Sequence, residues 1–162
     1  MTAKRVSLLL QFIALAAVAD AWILLGSINL PTTPATKKYY WADSTARNWT
    51  DSVAFCTAQG AGYAIAEVKT MKNQVDDPLA FLKSKYSDGF TGSHWIGAVT
   101  SDPPVSMTWV NIPKSIVQDY AGIDWKPPTY GFCGAYSSEK DTPYFHALHC
   151  DLRNKVLCEQ IV

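Results

Sequence analysis

The chain has 162 residues, 48% hydrophobic and 17% charged, with 14 basic and 14 acidic groups and therefore no formal net charge. That balance offers no electrostatic footprint for nucleic acid and no basic helix for a membrane surface. The length suits one domain with a real hydrophobic core, in which crosslinks assist rather than substitute.

The N-terminus sets the compartment. Lys4 and Arg5 precede an apolar stretch over residues 6–19, and small residues follow at Ala17, Ala19 and Ala21. This is the layout of a secretory signal peptide over residues 1–21, cleaved after Ala19 or Ala21. A signal anchor running to about residue 28 competes, because residues 22–28 are apolar again and the combined stretch is long enough to span a bilayer. Asp20 argues against it, since a carboxylate inside hydrocarbon costs about 2.5–3.5 kcal/mol on insertion scales. Either reading places the remainder outside the cytoplasm, secreted in the first case and on the cell surface as a single-pass protein in the second. Residues 22–37 read as a linker, because residues 27–36 carry Pro31, Pro34 and four Ser/Thr with no periodic apolar face. The domain is expected over residues 38–162.

Two helices come next. Asn48 caps the first, Asp51 sits favourably near the positive end of its dipole, and Trp49, Val53, Cys56 and Gly60 fall at helical spacing. Gly60 and Gly62 supply the stop. The second shows Val75, Leu79, Leu82 and Tyr86 on one stripe, with Asp77 as cap and Pro78 at the first helical position, so it starts there or some residues earlier. The second half reads as strands at residues 95–99, 106–110, 132–136, 144–150 and 155–160, rich in aromatic and branched side chains. Between residues 110 and 132 lies a long stretch with Pro113, Gly122, Pro127, Pro128 and Gly131, which forbids a central strand. A loop that long inside a compact domain is usually functional or disordered. Helices first and strands later is an α+β order.

Cys56, Cys133, Cys150 and Cys158 lie behind the leader, and an even cysteine count in an exported domain reads as a disulfide framework. Spacing alone leaves three pairings open. Tyr39-Tyr40, Trp49, Cys56, Gly60, Trp95-Ile96-Gly97, Trp109, Cys133, Cys150 and Cys158 together resemble the C-type lectin-like domain, in order and with about the right gaps, over residues 38–162. The chain lacks the additional N-terminal cysteine pair of the family's longer form. The resemblance implies two helices packed on antiparallel sheets, a long ligand-binding loop, and the bridges Cys56–Cys158 and Cys133–Cys150. In the chain-entropy model such bridges would stabilise by about 4–5 and about 3 kcal/mol as upper figures.

The departure from the family pattern matters for function. Sugar-binding members coordinate calcium through a Glu-Pro-Asn or Gln-Pro-Asp triplet in the long loop and a Trp-Asn-Asp triplet before the third cysteine. Here those positions hold Lys126-Pro127-Pro128 and Phe145-His146-Ala147. Calcium takes about 6–8 oxygen ligands, and these residues supply a cation, no side-chain oxygen and one nitrogen suited to softer metals. No cofactor is expected: the sugar-coordinating calcium site is read as lost, with Asp119 and Asp124 left as candidates for a separate structural calcium.

The loop region remains aromatic and polar, and the candidate ligand-binding residues are Tyr120, Trp125, Lys126, Tyr130 and Tyr144, with Tyr136, Glu139 and Asp141 nearby. Tyrosine and tryptophan give large contact area at low entropic cost. The competing use of Trp125 and Tyr130 is to pack the loop onto the domain. Trp49, Trp95 and Trp109 are assigned to the core.

Catalytic candidates are thin, and no enzyme is expected. His146 and His149 are three apart on a predicted strand and so face opposite ways, and His94 stands alone. No serine sits in a Gly-x-Ser-x-Gly elbow. Asn48-Trp49-Thr50 is a glycosylation acceptor that competes with the capping role of Asn48. The function expected is a secreted binding module recognising an extracellular carbohydrate or protein ligand without calcium-coordinated sugar binding. The alternatives are a membrane-anchored receptor ectodomain and a lectin-like inhibitor or toxin subunit. The membrane is a partner only if the leader is retained, and the oligomeric state stays open.

Overall fold

The computed structural model describes residues 22–30, 36–68, 77–100, 107–111, 132–138 and 144–162. Eight strands and two helices are found among them: β1 Trp22–Leu30, β2 Thr36–Arg47, α1 Trp49–Ala58, β3 Tyr63–Ile65, α2 Pro78–Ser84 with a 3-10 turn Lys85–Asp88, β4 Gly92–Thr100, β5 Met107–Trp109, β6 Phe132–Ser138, β7 Tyr144–His149 and β8 Asn154–Ile161. The sheet runs β1-β2-β8-β4-β6-β7, with β3 added to β8 and β5 to β4. The class is α+β, as expected. One pairing departs from the antiparallel expectation: β4 and β8 run parallel, with Trp95 opposite Val156, so the sheet is mixed.

Both helices begin where their caps dictate. Asn48 is extended, and its Oδ1 accepts from the Asp51 amide at 2.7 Å; Asp77 Oδ1 does the same for Leu79 at 3.0 Å, with Pro78 at the start of the helix. These bonds satisfy amides that the first helical turn leaves without partners. The buried side of α1 consists of Ser52 and Cys56, with Trp49, Val53 and Phe55 half-buried beside them. Ser52 was not on the expected stripe; its hydroxyl donates to the Asn48 carbonyl at 2.8 Å, which lets a polar residue face inward. After α1, Gly62 takes φ +81°, and a Cβ there would lie 2.7 Å from the Ile161 carbonyl, so the turn passes close beneath β8. Val75, expected on α2, lies outside the described residues, as does the side chain of Tyr86.

Successive strand residues point to opposite faces, and the burial pattern divides accordingly into two cores. One face carries Tyr40, Ala42, Ile96, Ala98, Tyr136, Phe145 and Leu157 beneath Leu82 of α2. The other gathers Ile65, Trp95, Ala135 and Val156 around the four cysteines, beneath α1. Gly134 of β6 faces Ala98 so closely that a Cβ would meet that methyl at 2.7 Å.

The linker expected over residues 22–37 is corrected by β1, which pairs antiparallel with β2 from Trp22 opposite Asp43 to Leu30 opposite Thr36. Trp22 stacks on Trp41 with ring centroids 5.3 Å apart and meets Phe55 of α1 edge-on. Ile28 is buried in the α2-side core. Residues 22–30 are thus a paired strand of the sheet, N-terminal to Lys38. Residues 1–21, over which a leader is expected from the sequence, are outside the described residues. Among the described residues no helix is long and apolar enough to cross a membrane.

Leu82 is fully buried while Leu152 is 51% exposed. Leu82→Ala is expected to cost about 2–5 kcal/mol and Leu152→Ala less than about 0.5 kcal/mol. Urea denaturation with the disulfides intact measures both.

Candidate functional site

Residues 112–131 connect β5 to β6 and lie outside the described residues, and the described residues on either side of them are held by specific bonds. On departure, the Val110 amide donates to the Gly97 carbonyl at 2.9 Å. The Asn111 amide donates to Glu67 Oε1 at 2.7 Å, and its side-chain amide donates to the Ile65 carbonyl at 3.1 Å. On return, the Phe132 amide donates to Thr100 Oγ1 at 2.9 Å. One residue later Cys133 is bridged to Cys150, with Cα atoms 5.1 Å apart. The same end receives α1, whose Trp49 amide donates to the Cys150 carbonyl at 2.9 Å.

Glu67 belongs to a buried charged relay that the sequence reading missed. Lys38 Nζ lies 2.8 Å from Glu159 Oε2, and that oxygen also accepts from the Glu67 amide at 2.9 Å. Glu67 and Glu159 are 2% and 3% exposed. Burial pushes the Glu159 carboxyl above its ordinary value, and the neighbouring Lys38 ammonium opposes the shift without cancelling it. Tyr40, on the same strand as Lys38, is pushed well up, first by burial and then by the Glu159, Asp77 and Glu67 carboxylates. The sequence carries one hint of its central member, because Glu159 directly follows the apolar run Val156-Leu157-Cys158, but nothing local names its partners.

The expected ligand residues Tyr120, Trp125, Lys126 and Tyr130 fall outside the described residues, as do Asp119, Asp124, Pro127, Pro128, Glu139 and Asp141. Tyr144 opens β7, and its side chain is likewise outside the described residues. Tyr136, grouped with the contact candidates, belongs instead to the core: it is fully buried and meets Phe145 edge-on at 5.6 Å. Trp95 and Trp109 are buried as assigned. Trp49 is half-buried, its Nε1 donating to the Ile96 carbonyl at 2.9 Å.

The residues expected from the sequence at the second calcium-ligand triplet, Phe145-His146-Ala147, lie on β7. Phe145 points into the core. His146 Nε2 lies 3.1 Å from Ser93 Oγ and 3.4 Å from Ser137 Oγ, and Asn154 Nδ2 donates to the same Ser93 oxygen at 2.8 Å. Ala147 pairs with Gly134 in the ladder. His149 points the other way, exposed beside Asp151. Among the described residues no three His, Cys, Asp or Glu side chains are grouped to hold a metal. Of the two buried carboxylates Glu67 and Glu159, the second already has a cation in Lys38 and the first accepts from the Asn111 amide. Asn48 is half-exposed, with its Oδ1 used in the cap and its Nδ2 without a partner among the described residues.

No protein-family model matches the sequence, and neither does any curated protein. Solved structures do match. The C-type lectin CEL-I from Cucumaria echinata is 14% identical, with a TM-score of 0.57 over 77% of this chain and 90% of its own. SPL-1, solved as a complex with GlcNAc, is 19% identical, with a TM-score of 0.58 over 90% and 96%. EMS16, an antagonist of the collagen receptor integrin alpha2beta1, is 19% identical, with a TM-score of 0.54 over 84% and 97%. The shared fold is the C-type lectin-like fold, and the pairing Cys56–Cys158 and Cys133–Cys150 is the one the sequence resemblance implied.

Lys38→Met leaves Glu159 buried without its cation, a change expected to cost about 3–5 kcal/mol near neutral pH. The folded pKa of Glu159 already exceeds the unfolded one, and removing Lys38 raises it further. The group's contribution is then fully present below the unfolded pKa and is lost as pH rises through the folded pKa. The deficit of Lys38→Met relative to wild type should therefore be smaller at pH 4 than at pH 7 in paired urea titrations, and adding Glu159→Gln should remove the difference between the two pH values.

Proposed function

We propose that this chain is an extracellular binding module that recognises a glycan or protein ligand without coordinating calcium. The observation that carries the calcium part is the chemistry of β7: Phe145 is buried in the core, His146 is engaged with two serine hydroxyls, and Ala147 has no ligand atom. Calcium needs about 6–8 oxygens, and this strand supplies no side-chain oxygen where the sugar-binding pattern has two.

In this reading Tyr120, Trp125, Lys126 and Tyr130 form the contact surface together with Tyr144 at the start of β7. Their ends of the chain are held by Glu67, Thr100 and the Cys133–Cys150 bridge, so a recognition segment here would be presented on fixed supports. The fold's use by a GlcNAc-bound protein and by an integrin antagonist supports a binding role, with no residue assigned to catalysis. Export is supported by the leader pattern and by two disulfides, which persist in oxidising compartments. Residues 22–28 are used in β1, where Trp22 stacks on Trp41, and this favours a cleaved signal peptide over an anchor that would need them in the bilayer. Asn48 is proposed as a glycosylation site, through the side-chain nitrogen that its cap leaves unused.

A glycan array and calorimetry with and without EDTA test the proposal. Binding is expected to survive EDTA and to weaken at least tenfold in Trp125→Ala. Binding abolished by EDTA, or unchanged in Trp125→Ala, would contradict it.

A further inference from the structure

A cleft of about 130 Å³ opens between the β1–β2 hairpin and the turn that leads from the 3-10 helix into β4. Its walls come from elements distant in sequence: Ile23 and Leu25 of β1, Ala42 of β2, Phe90 of the turn, His94 of β4 and Lys155 of β8. None of these residues belongs to the surface proposed above for the extracellular ligand. The space is several times the ~30 Å³ share of one water in the liquid. It is also well below the ~300–1,000 Å³ of pockets that enclose drug-sized molecules. It suits a ligand group of a few heavy atoms rather than a sugar ring.

The chemistry of the walls selects the class. Leu25, Ala42 and Phe90 make an apolar floor. Lys155 is the cation of the cleft; it has no carboxylate partner among the described residues, its Nζ reaching only the Thr91 carbonyl at 3.3 Å. The acidic group at the rim, Asp88, is itself engaged by Lys85 at 3.0 Å. His94 is buried, stacked 4.4 Å from Phe90, and its Nδ1 has no hydrogen-bond partner among the described residues. Burial, assisted by the Lys155 charge and opposed by the Gly92 carbonyl, lowers its pKa to about 3, so the ring adds a polar atom to the cleft without adding charge. An unpaired ammonium over an apolar floor, beside a neutral buried imidazole, complements one negative charge carried on a short hydrocarbon body.

We propose that this cleft binds a short aliphatic carboxylate, with the carboxylate on Lys155 and the hydrocarbon on Leu25, Ala42 and Phe90. The carboxylate belongs either to a free small acid or to an acidic side chain presented by a partner.

The test is a ¹H–¹⁵N and methyl NMR titration of the oxidised protein with butyrate, with butyramide as the uncharged isostere and with doubly blocked glutamate as the side-chain source. Butyrate should give saturable shifts at Leu25, Ala42, Thr91 and Lys155 in the millimolar range, and butyramide should bind at least tenfold more weakly. Lys155→Gln should weaken butyrate at least tenfold, while Lys155→Arg should stay within a few-fold and so controls for the fold. Blocked glutamate binding as well as butyrate would identify a partner's side chain as the source; butyrate alone binding would identify a free acid. The proposal is overturned by absent or scattered shifts, by equal binding of butyramide, or by a Lys155→Gln protein that binds as wild type does.

Discussion

The bond between Cys56 and Cys158 joins the buried side of α1 to the middle of β8, closing a loop of 102 residues. Cys158 is opposite Trp41 of β2 on one side and Ile65 of β3 on the other, so the bridge ends on the strand through which most of the sheet is connected. The core beneath α1 is built around it: Ile65, Trp95, Ala135 and Val156 pack about the sulfurs, and Trp22, Trp41 and Phe55 close the outside. Without that tie, α1 would be held to the sheet by few side chains, since only Ser52 and Cys56 of the helix are fully buried. The second bridge acts locally, bracing β6 against the residue that follows β7.

One residue beyond Cys158, the apolar logic gives way to charge. Glu159 could not stand buried and ionised alone; Lys38 supplies the counter-charge and the Glu67 amide a hydrogen bond. A buried pair is weak evidence for stability, because desolvation offsets much of the attraction. Its consequence here is positional. The Glu67 backbone is fixed by Glu159, and the Glu67 carboxylate then fixes the Asn111 amide, where the chain departs for residues 112–131. The start of the long segment is thus referred back to the central strand by three groups in series.

The strands and helices with strong local signals were legible in the sequence. Asn48 and Asp77 announce their helices through capping chemistry, the apolar run from Trp95 to Val99 marks a strand buried on both faces, and Met107 and Trp109 alternate as a half-buried strand should. β1 was hidden because its apolar residues follow the apolar stretch of residues 6–19 with little break in composition, and because the prolines after Leu30 suggest a linker. What decides the matter is pairing with β2 and the Trp22–Trp41 stack, both contacts between segments that no local pattern reveals. Tyr136 was grouped with surface aromatics for a related reason: alternation along β6 places it on the α2 face, but the face that is covered depends on α2. The Lys38–Glu159–Glu67 relay links residues more than 90 positions apart, beyond any local window. The similar solved structures are only 12–19% identical to this chain, so the fold is shared with little sequence identity for a pattern to use.

The most direct measurement is peptide mapping of the unreduced, alkylated protein by mass spectrometry. It should return two crosslinked pairs, Cys56 with Cys158 and Cys133 with Cys150, and no alkylated cysteine. Crosslinks between Cys56 and Cys133 or between Cys150 and Cys158, or free thiols at these positions in the native, unreduced protein, would contradict the architecture at its centre.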